Sequence, residues 1–458
     1  MDADLGLTKL LGGLWQDAEE LASRALDRHV RIAVTGLRRS GKTVFITSMV
    51  QALLTGQGLP FVRAVHEGRY LGAKLLPVDG PAFPFEQFCQ DLSQDPPLWP
   101  NATETLTKLK LEIRRQSEAN LSSYVQPVQP LTVEIIDYPG EWLLDLPLLT
   151  MDFAKFSAAA LKLAQSPVRR DVAADWLNLV EELDDTSDEA ALERVNMAFK
   201  SYLTACQQEL GLWHIQPGRF VHPGDLTDLS VLAFSPLPAS APASLTTIMQ
   251  RRFERYKREV VTAFYDDHFQ GFDRQIVMID LLGLLNAGPA HFEDAQTSLA
   301  GIMESFRYGR DSLFSRLFSP AIDRVVFAVS KADHVAGNQH PNLKQLMELM
   351  IAQAARNHRF EGITHEVLAL ASLRSTDTVR TEHQGQMLSC VRGRLKNEAR
   401  ETVLFPGEIP PELPDDEDWR SGRFKFFEFA PRPLATDMTN RHIRLDQAIE
   451  HLIGDKLG

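Results

Sequence analysis

Cysteine is scarce. The 458-residue chain has only Cys89, Cys206 and Cys390, far apart and without metal-ligand spacing. This excludes a disulfide framework, offers no cysteine-bound structural zinc, and fits a reducing compartment. Positive charge is short as well: 48 Lys and Arg face 61 Asp and Glu, a formal net charge of −13 that argues against a broad grip on nucleic acid or anionic lipid. No uninterrupted apolar run is long enough to span a bilayer, and the first residues, MDADLG, are acidic where a signal segment would be basic and then apolar. The expected location is the cytoplasm, with peripheral contact at the inner membrane as the one alternative. There is no internal repeat and no low-complexity tract, so the length predicts one large or two to three ordinary domains.

What is present is a phosphate loop. Residues 31–54 read RIAVTGLRRSGKTVFITSMVQALL. The first five are largely apolar and β-branched and predict a buried strand, while from Val44 onward the apolar spacing is helical. Between them GLRRSGKT fits GxxxxGK[ST] in the strand, loop, helix order that the motif requires. A loop bracketed by Gly36 and Gly41 can curl until the backbone around Arg38, Arg39, Ser40, Lys42, Thr43 and Val44 surrounds a phosphate with N–H groups. Lys42 adds a point charge at the β and γ phosphates. Thr43 offers its hydroxyl to Mg²⁺, and the helix dipole acts on the same anion.

Ahead of this unit, Leu7, Leu10, Leu11, Leu14, Trp15, Ala18, Leu21, Ala22 and Ala25 recur at helical spacing, predicting an amphipathic helix within residues 1–30. After it, residues 56–100 are punctuated by Gly and Pro and suggest no regular element. Nucleotide switches carry a mobile segment here, in which a threonine completes the Mg²⁺ shell. WPNATETL supplies Thr103 and Thr105, of which Thr103 is taken, just before the strand-like LTKLKLEIRR. LTVEIIDYPGEW then reads as an apolar strand ending in Asp137, with Gly140 three residues on. Beside the first strand, Asp137 would reach the water shell of Mg²⁺ and the Gly140 N–H the γ-phosphate. Glu141 follows, where a small GTPase of the Ras kind has its water-orienting glutamine. A carboxylate can accept a hydrogen bond from the attacking water but adds negative charge beside a phosphate. Slow intrinsic hydrolysis is therefore expected, with Lys42, Glu141 and Arg39 as the catalytic set and Arg38 as a further cation; the two arginines could equally be solvated.

Residues 148–270 read as a mainly helical insertion, with a loop-rich bridge around WHIQPGRFVHPGDL and a long helix over 245–269. The core resumes at RQIVMIDLLGLL, where Asp280 and Gly283 make a second DxxG. The magnesium aspartate thus has two candidates, and Asp137 follows the phosphate loop more directly. After a helix over 292–318, DRVVFAVSKADHV is an apolar strand ending in SKAD. It resembles NKxD, the guanine-recognition form, with Lys331 to stack on the base and Asp333 to accept its two donors, so GTP and GDP are expected in preference to ATP. After the next strand, Ala371 and Ser372 stand where a backbone N–H meets the guanine carbonyl. Beyond residue 386, LSCVRGRL, ETVLFPGEI and RFKFFEFAP are strand-like, and HIRLDQAIEHLIGDKL closes as an amphipathic helix. The predicted architecture is α/β. A mostly parallel P-loop sheet with helices on both faces is built from residues 31–147 and 271–385, with an insertion over 148–270 and a β-rich appendage over 386–458.

VTGLRRSGKTVFITSMV, IIDYPGEWLLDLPLL, QPGRFVHPGDL, FYDDHFQGFDRQIVMIDLLGLLNAGP, FAVSKADHV and HIRLDQAIEHLIGD together resemble the YcjX-like family of bacterial P-loop proteins. The resemblance implies a GTPase-type core interrupted by helices and completed by extra β structure. It implies phosphate binding at Gly41 and Lys42, metal at Thr43, a switch at Asp137 and Gly140, and base recognition at Lys331 and Asp333. Ser330 and Glu141 depart from ordinary GTPases. The family association also implies a role in stress and a protein effector, with a membrane protein encoded nearby as the candidate.

Overall fold

The computed structural model describes residues 28–36, 39–100, 105–116, 128–306, 322–354, 364–383, 385–433 and 441–457. The helix expected within residues 1–30, the end of the helix expected over 292–318, Arg38 and Thr103 lie outside them.

Strands β1 (His29–Gly36), β2 (Tyr70–Leu76), β3 (Thr107–Gln116), β4 (Val128–Asp137), β5 (Arg274–Ile279), β6 (Arg324–Val329) and β7 (Thr364–Ala369) form one sheet, in the order β2-β3-β4-β1-β5-β6-β7. Pairing is parallel from β4 through β1, β5 and β6 to β7, and antiparallel where β2 and β3 extend the other edge. The class is therefore the predicted one, a mostly parallel α/β sheet. The central strands are apolar throughout because both faces are covered. Alternation distributes their side chains: Ile276, Met278, Val326 and Ala328 join one core with the helices Lys42–Thr55 and Leu445–Leu457. Val277, Ile279, Val325 and Phe327 join the other, with the helices Pro289–Ser305 and His340–Ala354.

Sheet order fixes where a ligand can sit. From β1 the chain passes to the β4 side, and after β4 it crosses to β5 on the opposite side of β1. Such a reversal opens a crevice at the carboxyl ends of the strands. Gly36, Asp137, Asp280 and Ser330 all stand at that edge.

Between β4 and β5 the chain forms a 3-10 segment, Gly140–Thr150, and the helices Phe153–Ala164, Arg170–Glu181, Glu189–Gln208 and Ala243–Tyr256. The buried aromatics of this stretch, among them Trp176, Phe199, Phe220 and Phe253, belong to the same core as Ala33 and Val277 of the sheet. The insertion thus shares its interior with the sheet face it covers. A second sheet, β8 (Thr376–His383), β9 (Gln386–Arg394) and β10 (Glu401–Leu404), is antiparallel.

Several local expectations need correction. Residues 56–100 contain the edge strand β2 and the helix Phe85–Ser93, because the Tyr70–Leu76 edge is paired on one side and shows little apolar alternation. The helix expected over 245–269 passes through a π-wound stretch, Lys257–Val261, and ends at Asp267. RFKFFEFAP alternates like a strand but makes only a single bridge, Phe429 with Leu395. No helix of the described residues is long and apolar enough to cross a membrane.

One ion pair between the insertion and the helix Pro289–Ser305 is almost completely buried. Arg169 Nη2 donates to Asp294 Oδ1 at 2.5 Å and to the His214 carbonyl at 2.8 Å, while Asp294 Oδ2 accepts from Trp213 N at 2.6 Å and His214 N at 2.8 Å. Removing one member of such a pair strands the other charge in the interior. Asp294→Ala is expected to lower stability by about 3–5 kcal/mol, read as a fall in the urea midpoint, with Asp294→Asn costing less.

Candidate functional site

β1 delivers Gly36 to the carboxyl edge, and the helix begins six residues later at Lys42. A Cβ on Gly36 would lie 2.5 Å from Ser40 Oγ and 2.6 Å from the Met278 carbonyl, so the loop closes against β5 only without a side chain there. Arg39 and Gly41 have φ of 65° and 87°. Left-handed residues set in a turn point successive N–H groups into one concavity, the geometry of an anion nest. Lys42 Nζ donates to the Gly36 carbonyl at 3.0 Å, spanning the loop and leaving two further N–H donors on the ammonium. The helix has no side-chain cap and no acidic residue in its first turn, so its N-terminal field is not cancelled locally. Ser40 and Thr43 are buried, while Val44 packs beside Leu92 and Leu373.

Asp137 ends β4, in register with Val34 of β1 and Thr107 of β3, and is 1% exposed. Thr105 is exposed just ahead of β3. Gly140 lies against the phosphate loop: a Cβ there would be 2.8 Å from the Gly36 carbonyl oxygen and 3.0 Å from its carbon. The two DxxG candidates differ in their surroundings. Asp280 accepts from Gly283 N at 3.0 Å as the cap of the helix Leu281–Ala287 and pairs with the Lys331 ammonium.

Glu141 is buried and points into the insertion. Its Oε1 accepts from Gln207 Nε2 at 3.0 Å and lies 3.9 Å from His222 Nε2. Around it the segment after the DxxG glycine is held by the QPGRFVHPGDL loop. A Cβ on Gly218 would lie 2.3 Å from the Glu141 carbonyl oxygen, so the two backbones touch. Trp142 Nε1 donates to the His222 carbonyl at 2.9 Å, and the Arg219 guanidinium sits 3.3 Å from the centre of the Trp142 ring. Asp145 accepts from Gly218 N at 2.8 Å and from the Tyr256 hydroxyl at 2.6 Å. Sequence reasoning missed Gln207, His222, Asp145 and Arg219. The signal for the last three is that their segments, IIDYPGEWLLDLPLL and QPGRFVHPGDL, are among those that carry the family resemblance.

On the other side, the SKAD loop is tied down by its own main chain. Ser330 N and Oγ both donate to the Ile279 carbonyl, at 2.9 and 3.2 Å. Lys331 has φ 58°, and Ala332 N donates to the Leu370 carbonyl at 3.0 Å. Asp333 is buried, and its Oδ2 accepts from Ser375 N at 2.6 Å. Burial holds His334 below the ordinary histidine range. Ala371 exchanges two hydrogen bonds with Ile443, so its N–H is committed; Ser372 is buried beside it. Among the described residues no group of three His, Cys, Asp or Glu could hold a metal ion.

Comparison with known proteins gives matches over nearly the whole chain. The model of the YcjX-like family, DUF463, matches residues 30–457. A protein of Escherichia coli K12 named Ras-like GTPase YcjX is 40% identical over 463 residues, covering 97% of this chain and 99% of that one. A Shewanella oneidensis protein of the same name is 34% identical over 481 residues, covering 96% and 97%.

Burial pushes Asp145 up from 3.8 to about 6, against the bonds from Tyr256, Gly218 and Arg219. A carboxyl whose folded value is raised stabilises the native state fully below its unfolded value, and that contribution is lost as pH rises through the folded value. Relative to Asp145→Asn, the unmodified protein is expected to lose roughly 3 kcal/mol between about pH 4 and pH 6.5, with no further pH-dependent difference above. Paired urea titrations across that range measure it.

Proposed function

The chain belongs to the YcjX-like family of P-loop proteins, and from that premise we propose that it binds GTP and GDP with Mg²⁺ and hydrolyses GTP as a slow molecular switch. The observation that carries this reading is the glycine-lined loop after β1, spanned by Lys42 and met from the neighbouring strand by Gly140. Backbone N–H groups from Arg39 to Val44 cradle the β-phosphate, and the two free donors of Lys42 serve the β and γ oxygens. Thr43 and Asp137 are buried hard oxygen donors of the kind Mg²⁺ takes, with Thr103 as the further hydroxyl read from the sequence. When bound, Mg²⁺ neutralises charge on the β and γ oxygens.

Asp333 serves the base. The Ser375 N–H orients its carboxylate and leaves acceptor capacity for the N1–H and amino group of guanine. Lys331 lies along the base, and with the Ala371 N–H committed, the donor to the guanine carbonyl falls to Ser372.

Turnover is slow because Glu141, at the water-orienting position, is turned toward Gln207 and His222. A γ-phosphate drawing on the Gly140 N–H pulls the same segment that the insertion grips, so the helices over 148–270 are where an effector protein reads the nucleotide state. Arg39, exposed on the loop, is the cation nearest to hand for transition-state charge.

Calorimetric titration of the full chain with GDP, GTP, ADP and ATP in Mg²⁺ tests the reading. Guanine nucleotides are expected to bind at least about tenfold more tightly, and Lys42→Ala to weaken GTP by at least about tenfold while abolishing single-turnover phosphate release. Equal or tighter adenine binding would overturn the base assignment. No binding at millimolar nucleotide would overturn the whole.

A further inference from the structure

The appendage returns to the carboxyl edge of the sheet in residues 424–430, FKFFEFA. This strap is anchored on both sides of the crevice. Asn286, at the end of the helix that Asp280 caps, exchanges two hydrogen bonds with the Phe426 backbone, at 2.7 and 2.9 Å. The Phe429 ring rests on His334, directly after SKAD, at 5.0 Å between ring centres. Trp99 Nε1, ahead of the segment that carries Thr103, donates to the Phe429 carbonyl at 3.0 Å. Antiparallel contacts with β9 fix the register: Lys396 N donates to the Glu428 carbonyl at 3.0 Å and Ala430 N to the Arg394 carbonyl at 2.8 Å.

Phe426 and Phe429 are buried, and the residue between them that faces outward is Glu428. Its carboxylate accepts from Lys396 Nζ at 2.9 Å. That bond, with the charges of Lys331 and Arg39, holds it below the ordinary glutamate range despite partial burial. Lys331 belongs to the base loop and Arg39 to the phosphate loop. Its neighbour Phe429 packs on His334 at the end of the base loop and is bonded to Trp99, which sets Glu428 at the rim of the gap that a nucleotide must bridge.

The rest follows from chemistry. A carboxylate is repelled by phosphate, and the two donors of guanine are taken by Asp333 in the reading above. What lies between base and phosphate is a ribose, uncharged, with two hydroxyl donors and in need of an acceptor. We propose that Glu428 is the ribose-binding residue of this protein, accepting from the 2′- and 3′-hydroxyls while Lys396 holds the carboxylate in place. The appendage is then a wall of the nucleotide site.

The proposal rests on nucleotide binding as read above, and its test separates the two. Unlabelled ligands are required, because ribose-linked fluorophores occupy the hydroxyls in question. Calorimetry on the full chain would compare GDP with 2′,3′-dideoxy-GDP, using the unmodified protein, Glu428→Gln and Glu428→Ala. The exposed position leaves folding unaffected, checked by an unchanged melting temperature. The unmodified protein is expected to prefer GDP by about tenfold, Glu428→Ala to bind both ligands equally at the weaker level, and Glu428→Gln to fall between. GDP binding without discrimination, or discrimination that survives Glu428→Ala, overturns this proposal and leaves the proposed function standing. Failure to bind GDP at all overturns both.

Discussion

Three backbones lie in direct contact at the centre of this molecule. The Gly36 carbonyl meets Gly140, and the Glu141 carbonyl, one residue on, meets Gly218. A methyl group at either glycine would come within 2.8 Å or 2.3 Å of a carbonyl oxygen, so each layer sits where it does only because a side chain is missing. Phosphate loop, DxxG segment and insertion loop are therefore stacked with no compliant side chain between them. Cores resist compression, and displacement of one layer is passed to the next. The carboxyl edge of the sheet and the helices between β4 and β5 are in mechanical register through this contact.

The polar groups around the stack reinforce it. Glu141 and Asp145 are both buried carboxylates on the 3-10 segment, and both are satisfied from the insertion: by Gln207 in one case, by Gly218, Arg219 and Tyr256 in the other. A buried carboxylate without donors is costly, so the segment cannot leave these partners without finding water or replacements. On the reading proposed above, this grip is what a switch would release. The grip faces away from the phosphate loop while the Gly140 backbone faces it.

Much of this was readable in one dimension. Short apolar runs rich in β-branched residues mark β1, β5 and β6, and GLRRSGKT followed by SKAD marks the loops on the carboxyl edge. What was ambiguous had a local cause: two DxxG segments look alike, and only three dimensions distinguish an aspartate that caps a helix and binds Lys331 from one set between β1 and β3. What was illegible is non-local. Gln207 lies 66 residues from Glu141, and nothing in the amphipathic pattern of its helix distinguishes it from a solvated glutamine. RFKFFEFAP misled in the opposite sense, since alternation in a strap that buries every second or third side chain imitates a strand.

The two halves of the crevice are tied into the fold in different ways. On the base side Ser330 is tied to β5, Ala332 to the end of β7, Ala371 to Ile443 and Ser375 to Asp333, so the loop is fixed by main-chain bonds from three elements. Ser330 illustrates why the smaller residue suffices. Its N–H and hydroxyl reach the same Ile279 carbonyl, making the tie across strands that a longer polar side chain makes in NKxD. A site preorganised in this way spends little of its binding energy on ordering itself. On the phosphate side, the described residues include the Lys42 bond to Gly36 and the glycine stack, whose far end belongs to the insertion. On the reading proposed above, a difference between nucleotide states would be expressed there, because that is the half with an alternative partner available to it.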